Sequence, residues 1–430
     1  MTNKKLRLYI IIASTFFLQL FHLSVFSQTA TLSPYSRYGI GDMIFNGYTH
    51  QRAMAGLSVG LQQSTYINFG NPASYVADSI VIFQLGLTGE IVRFSNQTDS
   101  KKKTNGDISY LSMGFPLIKN YLYLNVGMLP FSAAGFKVQQ ASSLNDSIPG
   151  NAKFIYEGSG GYNRFYGGMG VKLFHHLSAG VNASYLFGSA TNTSKVEFKD
   201  AGYINTKLIK TITLGDVFFE GGLQYVISLP KEKHLTLGVT GSPAQNISAK
   251  RDFAWINYIY NIGNAIDKDI VLFTEKEKGT IKIPIQAGFG FTLSKKENWL
   301  VGADFKMIKW EDFKSYGLKD SLKNSYKITI GGQWVPDAIS MRYFGRAIYR
   351  AGVSYNKGNL ELKNEAINDV GISFGAGFPL RGKPYFSHLD LSFELGQRGT
   401  TKNNLVREQY GRVTIGLTIR EDWFHKPKFD

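Results

Sequence analysis

The sequence predicts an all-β fold, a transmembrane antiparallel β-barrel of about 14 strands with an N-terminal hatch, or plug, in the lumen. Apolar and polar residues alternate in segments that mostly exceed ten residues, against about five or six in a typical globular strand. Short and long connections alternate along the chain, as they do in outer-membrane barrels. The chain is also rich in Gly (46), Tyr (24) and Phe (31), which favours strands and tight turns over helices.

The N-terminus has the pattern of a secretory signal peptide at residues 1–27. Three basic residues precede an apolar run at 8–21, and small residues lead up to a cleavage site that we place after Ser27. An uncleaved membrane anchor is the alternative, but the run is short for a span of about 20 residues. The signal predicts export, and the barrel pattern predicts a Gram-negative-type outer membrane as the destination.

Residues 28–78 are predicted to form the hatch. This part is Gly-rich with only short apolar pieces, so it is too small to build a core of its own and needs support from the barrel wall. Asn71 is suited to an Asx turn or a helix cap, and Pro72 fixes a bend. With Ala73, these residues are expected to turn the chain from the hatch into the wall. A disordered periplasmic leader is the alternative.

The barrel is predicted to cover residues 79–424, with a periplasmic tail at 425–430. Long loops are expected at 95–106, 139–152 and 254–279, opposite the short turns. The alternation marks fourteen strands, near 79–94, 107–118, 121–138, 153–174, 177–199, 211–229, 234–253, 280–294, 298–313, 324–336, 346–360, 367–380, 386–399 and 405–420.

The two faces of these strands have different expected surroundings: lipid for the apolar face and the lumen for the polar face. Tryptophans near strand ends suit interfacial girdles, and they are Trp299, Trp310, Trp334 and Trp423. Charged side chains are expected on the lumen face at Asp304, Lys306, Arg350, Asp390, Glu394, Arg412 and Arg420. So charged a lining argues against an apolar path straight through the barrel.

Composition excludes several function classes. The chain has no cysteine, so disulfides, thiolate metal sites and cysteine nucleophiles are excluded. The net charge is +16, but the Lys and Arg are scattered and form no basic helix, so we expect no nucleic-acid partner. No Ser/His/Asp set is convincing, and adjacent His175 and His176 would point to opposite faces of a strand. We therefore predict neither an enzyme nor a metal or other cofactor.

Several segments resemble the FadL/TodX family of outer-membrane transporters for hydrophobic compounds. They are the Gly-rich N-terminal part ending in Asn-Pro-Ala at 71–73, the strand pair at 283–313 and the stretch YRAGVSYN at 349–356. The resemblance implies that a ligand is caught among extracellular loops, that the hatch shifts, and that the ligand leaves sideways beside a kinked third strand.

The predicted third strand, 121–138, has residues that suit such a kink. Pro130 cannot donate a ladder hydrogen bond, and Gly135 favours a bulge. We assign both residues to a lateral-gate kink. A bend at the barrel rim without transport is the alternative.

Together these features predict passive uptake of hydrophobic small molecules, fatty-acid-like or aromatic, by a monomer surrounded by outer-membrane lipids. The alternative is a structural or accessory barrel of a secretion or adhesion assembly, because fold does not fix function. An apolar pocket between hatch and wall would favour transport, and a sealed, charged lumen would favour partner binding. A general porin is a weaker third option, since a plug argues against it.

Overall fold

A computed structural model describes residues 31, 33–44, 47–141, 152–198, 203–261, 264–296, 298–380 and 387–421. The predicted signal peptide, the first residues of the predicted hatch, Trp423 and the tail at 425–430 lie outside the described residues. The predicted domain boundaries at the two ends therefore stay predictions.

Within these ranges the chain forms one short helix, α1 (Thr49–Arg52), and 22 strands. The strands are β1 (Asp42–Met43), β2 (Val81–Ser95), β3 (Ser100–Ile118), β4 (Leu122–Ala133), β5 (Phe136–Ala141), β6 (Ala152–Lys172), β7 (Leu177–Phe198), β8 (Asn205–Leu229), β9 (Lys233–Ser242), β10 (Gln245–Asn261), β11 (Asn264–Ile283), β12 (Gln286–Lys295), β13 (Trp299–Ile308), β14 (Lys314–Ser315), β15 (Leu318–Lys319), β16 (Ser325–Trp334), β17 (Ile348–Lys357), β18 (Glu361–Leu362), β19 (Glu365–Ala366), β20 (Asp369–Pro379), β21 (His388–Arg398) and β22 (Arg407–Glu421).

The strands build a closed antiparallel barrel of fourteen wall strands, which confirms the predicted fold class. Three wall strands are each interrupted once, so that β4 with β5, β9 with β10, and β11 with β12 each form one of them. The barrel closes where β2 pairs with β22, from Val81 opposite Glu421 to Ser95 opposite Arg407. No helix among the described residues is long and apolar enough to cross a membrane.

Alternation along the strands places charged side chains inside the barrel, as predicted. On β13, Leu300 and Asp304 are buried, whereas Val301 and Phe305 point outward and are exposed. Arg350 on β17 and Asp390 on β21 are likewise buried. The outer face of the wall is therefore apolar, and the inner face carries the buried charges.

Two of the predicted loops are largely strand. β3 already begins at Ser100, and β10 with β11 forms a hairpin through most of 254–279. The hairpin has register shifts between Arg251 and Phe253, between Trp255 and Ile256, and between Asn257 and Tyr258. Each shift inserts a residue that breaks the two-residue period, so the sequence pattern did not reveal the strand.

Trp310 is not part of a lipid-facing girdle, and this prediction is wrong. After β13 the chain makes a 3-10 turn at Trp310–Asp312 and folds inward, which leaves Trp310 3% exposed. Its ring lies 5.8 Å from that of Phe313. Both rings belong to the largest apolar cluster of the interior, together with Phe131 and Phe218.

The connections define two ends of the barrel. The short turns, for example between β8 and β9, lie at one end, which we call the short-turn end; the longer excursions, for example between β13 and β16, lie at the other, the long-loop end. The N-terminal segment, the described part of residues 31–78, lies between them. It contains β1, α1 and 3-10 helices at Pro34–Arg37 and Pro72–Ala77, and its side chains are mostly buried.

Candidate functional site

Asn71 ties three parts of the molecule together. Its side-chain oxygen accepts a hydrogen bond of 3.1 Å from the backbone N–H of Ala73 and so caps the 3-10 helix at Pro72–Ala77. Its amide nitrogen donates to the carbonyl of Val59, at 2.7 Å, and to that of Leu223 on β8, at 3.3 Å. Asn71 therefore joins a local turn, an earlier part of the N-terminal segment and the wall.

Glycines on the inner face of the wall let the backbone of the N-terminal segment lie directly against it. A Cβ atom added at Gly180 would lie 2.3 Å from the carbonyl carbon of Pro72. One added at Gly238 would lie 2.0 Å from the carbonyl oxygen of Val59. Contacts this short are sterically forbidden, so these positions admit no side chain while the segment stays in place. Gly331 and Gly352 contact the residues that follow α1 in the same way.

Asp304 holds the middle of the N-terminal segment. Its carboxylate accepts hydrogen bonds from the backbone N–H groups of Ser58, at 2.6 Å, and Val59, at 2.8 Å. Lys306, two residues further along β13, donates to the hydroxyl of Ser58 at 2.7 Å. Charge-assisted bonds of this kind are stronger than neutral ones, so β13 anchors the segment through both charges.

A buried ion pair supports the next part of the segment. Arg350 and Asp390 are 2.7 Å apart, and the hydroxyl of Tyr66 lies 3.0 Å from each of them. The ring of His50 stacks on that of Tyr66, with 4.3 Å between the centroids. Burial, and secondarily the nearby Arg350, lowers the pKa of His50 well below its usual 6.5, so this imidazole is neutral.

A second group of ion pairs surrounds a cavity of about 480 Å³ toward the long-loop end. Arg398 contacts Asp42 of β1 at 2.9 Å and Glu408 at 4.0 Å. Arg412 contacts Glu90 at 2.6 Å, and Arg52 of α1 lies 3.5 Å from Glu394. These pairs connect the N-terminal segment to several wall strands. The lining of the cavity between them combines these charges with apolar side chains such as Phe94 and Leu395.

Another cavity, of about 470 Å³, opens toward the short-turn end. It is lined by residues 62–66 of the N-terminal segment and by wall residues that include His234, His388 and Arg420. The N-terminal segment thus separates two spaces whose linings combine polar and apolar side chains. Among the described residues, no group of three or more His, Asp or Glu could hold a metal ion.

The ladder between β3 and β4 stops halfway up the wall. The two strands pair from Ile118 opposite Leu122 only as far as Leu111 opposite Met128. Above that level β4 keeps its partner β6, but its other edge pairs with β1, with Met43 opposite Ser132. The N–H of Ile44 also donates to the carbonyl of Phe131, at 3.1 Å. Residues of β1 therefore occupy the place on β4 that β3 has left.

Pro130 and Gly135 lie where β4 separates from β3. Pro130 is opposite Asn163 of β6, and the register shifts between Pro130 and Ser132. Gly135 lies in the break between β4 and β5, where its N–H donates to the hydroxyl of Ser36 at 3.1 Å. We call the boundary between β3 and β4 beyond Leu111 the seam. The sequence indicated the interruption of the third wall strand, but not that β1 of the N-terminal segment fills it.

The match of a family's sequence model to residues 7–430 decides the family. The chain belongs to the BamG family. No curated protein matches this BamG family member.

Solved structures share the barrel architecture of the BamG family member at low sequence identity. The toluene transporter TodX of Pseudomonas putida matches with a TM-score of 0.57 and 15% identity, over 89% of this chain and 99% of its own. TbuX, the toluene transporter of Ralstonia pickettii, matches with 0.56 and 13%, over 87% and 98%. A FadL homologue of Pseudomonas aeruginosa matches with 0.55 and 12%, over 90% and 100%. The predicted resemblance to the FadL/TodX family is confirmed, and at these identities it establishes the shared fold.

The predicted hatch residues Asn71, Pro72 and Ala73 come together with wall strands β6, β7 and β8, through Gly170, Gly180 and Leu223. The predicted kink residues, Pro130 and Gly135, lie elsewhere, against the first part of the N-terminal segment. Sequence reasoning missed Ser58 and Val59, because both bind Asp304 through backbone N–H groups that any residue type supplies.

Proposed function

We propose that the chain is an outer-membrane channel for passive uptake of hydrophobic small molecules, fatty-acid-like or aromatic. In this proposal residues 28–78 form a hatch, and the ligand leaves sideways into the membrane. The observation that carries the proposal is the seam, where β4 parts from β3 beyond Leu111 and Met128. A closed barrel normally pairs every strand along its length, because an unpaired edge facing lipid is costly.

The position of β1 supports a gate at this seam. Among the described residues, two residue pairs join β1 to β4, Asp42 with Ala133 and Met43 with Ser132. Withdrawing so short a strand breaks far fewer hydrogen bonds than parting two full wall strands. Pro130 favours the gap because it has no N–H that could donate a hydrogen bond to β3. Movement of the hatch would therefore uncover a gap in the wall.

The side chains beside the seam support a sideways route for the ligand. Phe131 of β4 and Ile40 of the N-terminal segment are buried in the apolar cluster beside the seam. The cavity toward the long-loop end reaches Met43 and Pro130 at the seam, and it is also lined by Arg398, Arg412 and their carboxylate partners. An apolar ligand that crossed among these charges would desolvate them at a cost, whereas a path along Phe131 and Ile40 to the seam would leave them paired.

The outer face of the wall supports residence in a membrane. Val301, Phe305 and Ile330 are among many large apolar side chains exposed there. Lipid chains would cover them, as in other transmembrane barrels. We propose a monomer in the outer membrane, with the long loops extracellular.

A reversible lock across the seam tests the uptake proposal. Met43 and Ser132 are opposite each other, and the neighbouring hydrogen bond between Ile44 and Phe131 makes them a non-hydrogen-bonded pair, whose spacing suits a disulfide. Because the chain has no cysteine, a Met43→Cys/Ser132→Cys variant has one possible crosslink. Uptake of a fluorescent fatty acid or of labelled toluene should stop on oxidation and return on reduction. The single-cysteine variants are controls, and uptake that continues in the locked barrel contradicts the gate.

A second candidate, an accessory barrel of a secretion or adhesion assembly, is favoured by the ion pairs that hold the N-terminal segment. Arg350 with Asp390, which is buried, and Arg398 with Asp42, which is partly buried, are contacts of the kind that keep a structure in one arrangement. Two results together would favour this candidate over transport. The wild-type protein would take up neither probe, and mild detergent would extract it from the envelope in a stoichiometric complex.

A further inference from the structure

The outer edge of β11 has no strand partner over most of its length. One edge of β11 pairs with β10, from Asn261 opposite Asn264 to Gln245 opposite Ile283. On the other edge, within the described part of the chain, only Ile281 and Lys282 pair, with β14. Throughout 265–276, no described strand lies along that edge. A row of backbone N–H and C=O groups is therefore available there as far as Glu275, since the N–H of Lys276 donates to Asp252.

The same stretch exposes a run of four apolar side chains. Ile270 is 62% exposed and Phe273 60%, and Val271 and Leu272 between them are about half exposed. Charged residues flank the run on both sides, with Asp267, Lys268 and Asp269 before it and Glu275, Lys276, Glu277 and Lys278 after it. An apolar edge strand of this kind is unusual on a free surface, because it invites pairing with another chain.

Lipid chains do not cover this stretch. Ile270 is opposite Ile256 of β10, which is in turn opposite Lys207 of β8. β8 has 25 residues, and Lys207 is the third from its long-loop end. A membrane-spanning strand needs about 9–11 residues, so the run lies well beyond the hydrocarbon core. Unpaired backbone groups would in any case find no partner in lipid.

We infer that the edge of β11 is a docking site for an extended segment of a partner polypeptide, which adds to the sheet as a further strand. Free N–H and C=O groups supply the hydrogen bonds, and Ile270 to Phe273 supply the apolar contacts. The flanks fit a segment with a basic residue opposite the Asp267–Asp269 end, where Asp267 also pairs with Lys207, and an acidic residue opposite the Lys276–Lys278 end, where Lys276 also pairs with Glu275. This inference goes beyond uptake and does not depend on it.

A second copy of this chain is a poor occupant. A twofold axis through Val271 would place Asp267 opposite Glu275, and one through Leu272 would place Lys268 opposite Lys276. Like charges directly opposite each other destabilise an antiparallel pair. The flanking charges therefore favour a different chain.

The test uses the full-length protein in lipid nanodiscs and a labelled peptide of about ten residues that has the strand length typical of sheet augmentation. The peptide alternates Val and Thr, with Lys at the end facing Asp267 and Glu at the end facing Lys276. We expect saturable binding, and slower amide hydrogen exchange in 265–276 when the peptide is bound. A peptide with alternate N-methylated backbone nitrogens keeps the side chains but loses the ladder bonds, and it should bind at least about tenfold more weakly.

The variant Ile270→Lys/Phe273→Lys should weaken binding by about tenfold or more. Ile259→Lys is the matched control, because Ile259 belongs to the same hairpin but lies on β10, away from the free edge. Equal binding of the N-methylated peptide would overturn strand addition. Absence of binding to the wild-type protein, or protein that forms dimers through β11, would overturn the inference of a partner segment.

Discussion

The carboxylate of Asp304 accepts a hydrogen bond of 2.8 Å from the backbone N–H of Val59, 245 residues earlier in the chain. The contact joins a wall strand to the N-terminal segment without any side-chain chemistry on the segment. Asp304 therefore determines the position of this part of the chain regardless of which residue stands at 59.

Replacing Asp304 tests that anchor. Asp304→Asn replaces one of the two carboxylate oxygens by an NH2 group, which cannot accept a hydrogen bond from the N–H of Ser58 or Val59. We therefore expect the docking of residues 58–60 against the wall to be weakened by about 1.5–3 kcal/mol. Amide hydrogen exchange of this stretch should speed up while the wall stays protected. Glu311→Gln, at an exposed position just beyond β13, is the control. Unchanged exchange at 58–60 would contradict the anchoring role.

Wall glycines offer a steric test. Gly238→Val should displace the N-terminal segment, because an added Cβ would lie 2.0 Å from the carbonyl oxygen of Val59. Single-channel conductance should rise as the segment moves, with the heat-dependent gel shift of a folded barrel retained. Gly167→Ala is the matched control, since an added Cβ there meets nothing within 4 Å. Equal conductance of both variants would mean that the segment does not depend on this contact.

The pH dependence of docking follows from His50. Its folded pKa is lowered, so below the unfolded value of about 6.5 the unfolded chain binds a proton that the folded chain does not. The stabilisation is therefore present above pH 6.5 and is lost as the pH falls toward the folded pKa. We expect protection of residues 48–66 to decrease between pH 7.5 and 5.

Asp78 changes the stability of the docked segment with pH in the direction opposite to His50. Burial raises its pKa well above 3.8, so its contribution improves as the pH falls. A His50→Gln variant, which does not titrate, separates the two effects. The wild-type protein should lose protection relative to this variant on acidification. Parallel pH profiles of both proteins would contradict the role of His50.

Trp310 is expected to matter for stability and not for membrane anchoring. Trp310→Ala would leave a cavity in the apolar cluster and lower the free energy of unfolding by about 3–5 kcal/mol, measured by urea unfolding in lipid vesicles. Trp334→Ala is the control, because Trp334 is 56% exposed on the outer face. A larger loss for Trp334 than for Trp310 would reverse this assignment.

Period-two alternation was sufficient to predict the wall, because each strand has one lipid-facing and one inward face. It placed Asp304, Arg350 and Asp390 inside, where the structure has them. It failed at β10 and β11, where bulges break the period, and at Trp310, where the chain leaves the wall. The partners of the inward charges could not be predicted, since Tyr66 and Asp390 meet only through the closed barrel.

Closure by β2 and β22 has a consequence for biogenesis. Asp78 ends the N-terminal segment just before β2 begins, and β2 is the strand on which the last strand, β22, closes the wall. Val59 meanwhile contacts the inner faces of β9 and β13. Because the segment contacts wall strands from many parts of the chain, we expect it to dock before β22 closes the wall on β2. The order of synthesis suits this sequence of events, because the N-terminal segment is made before the wall strands.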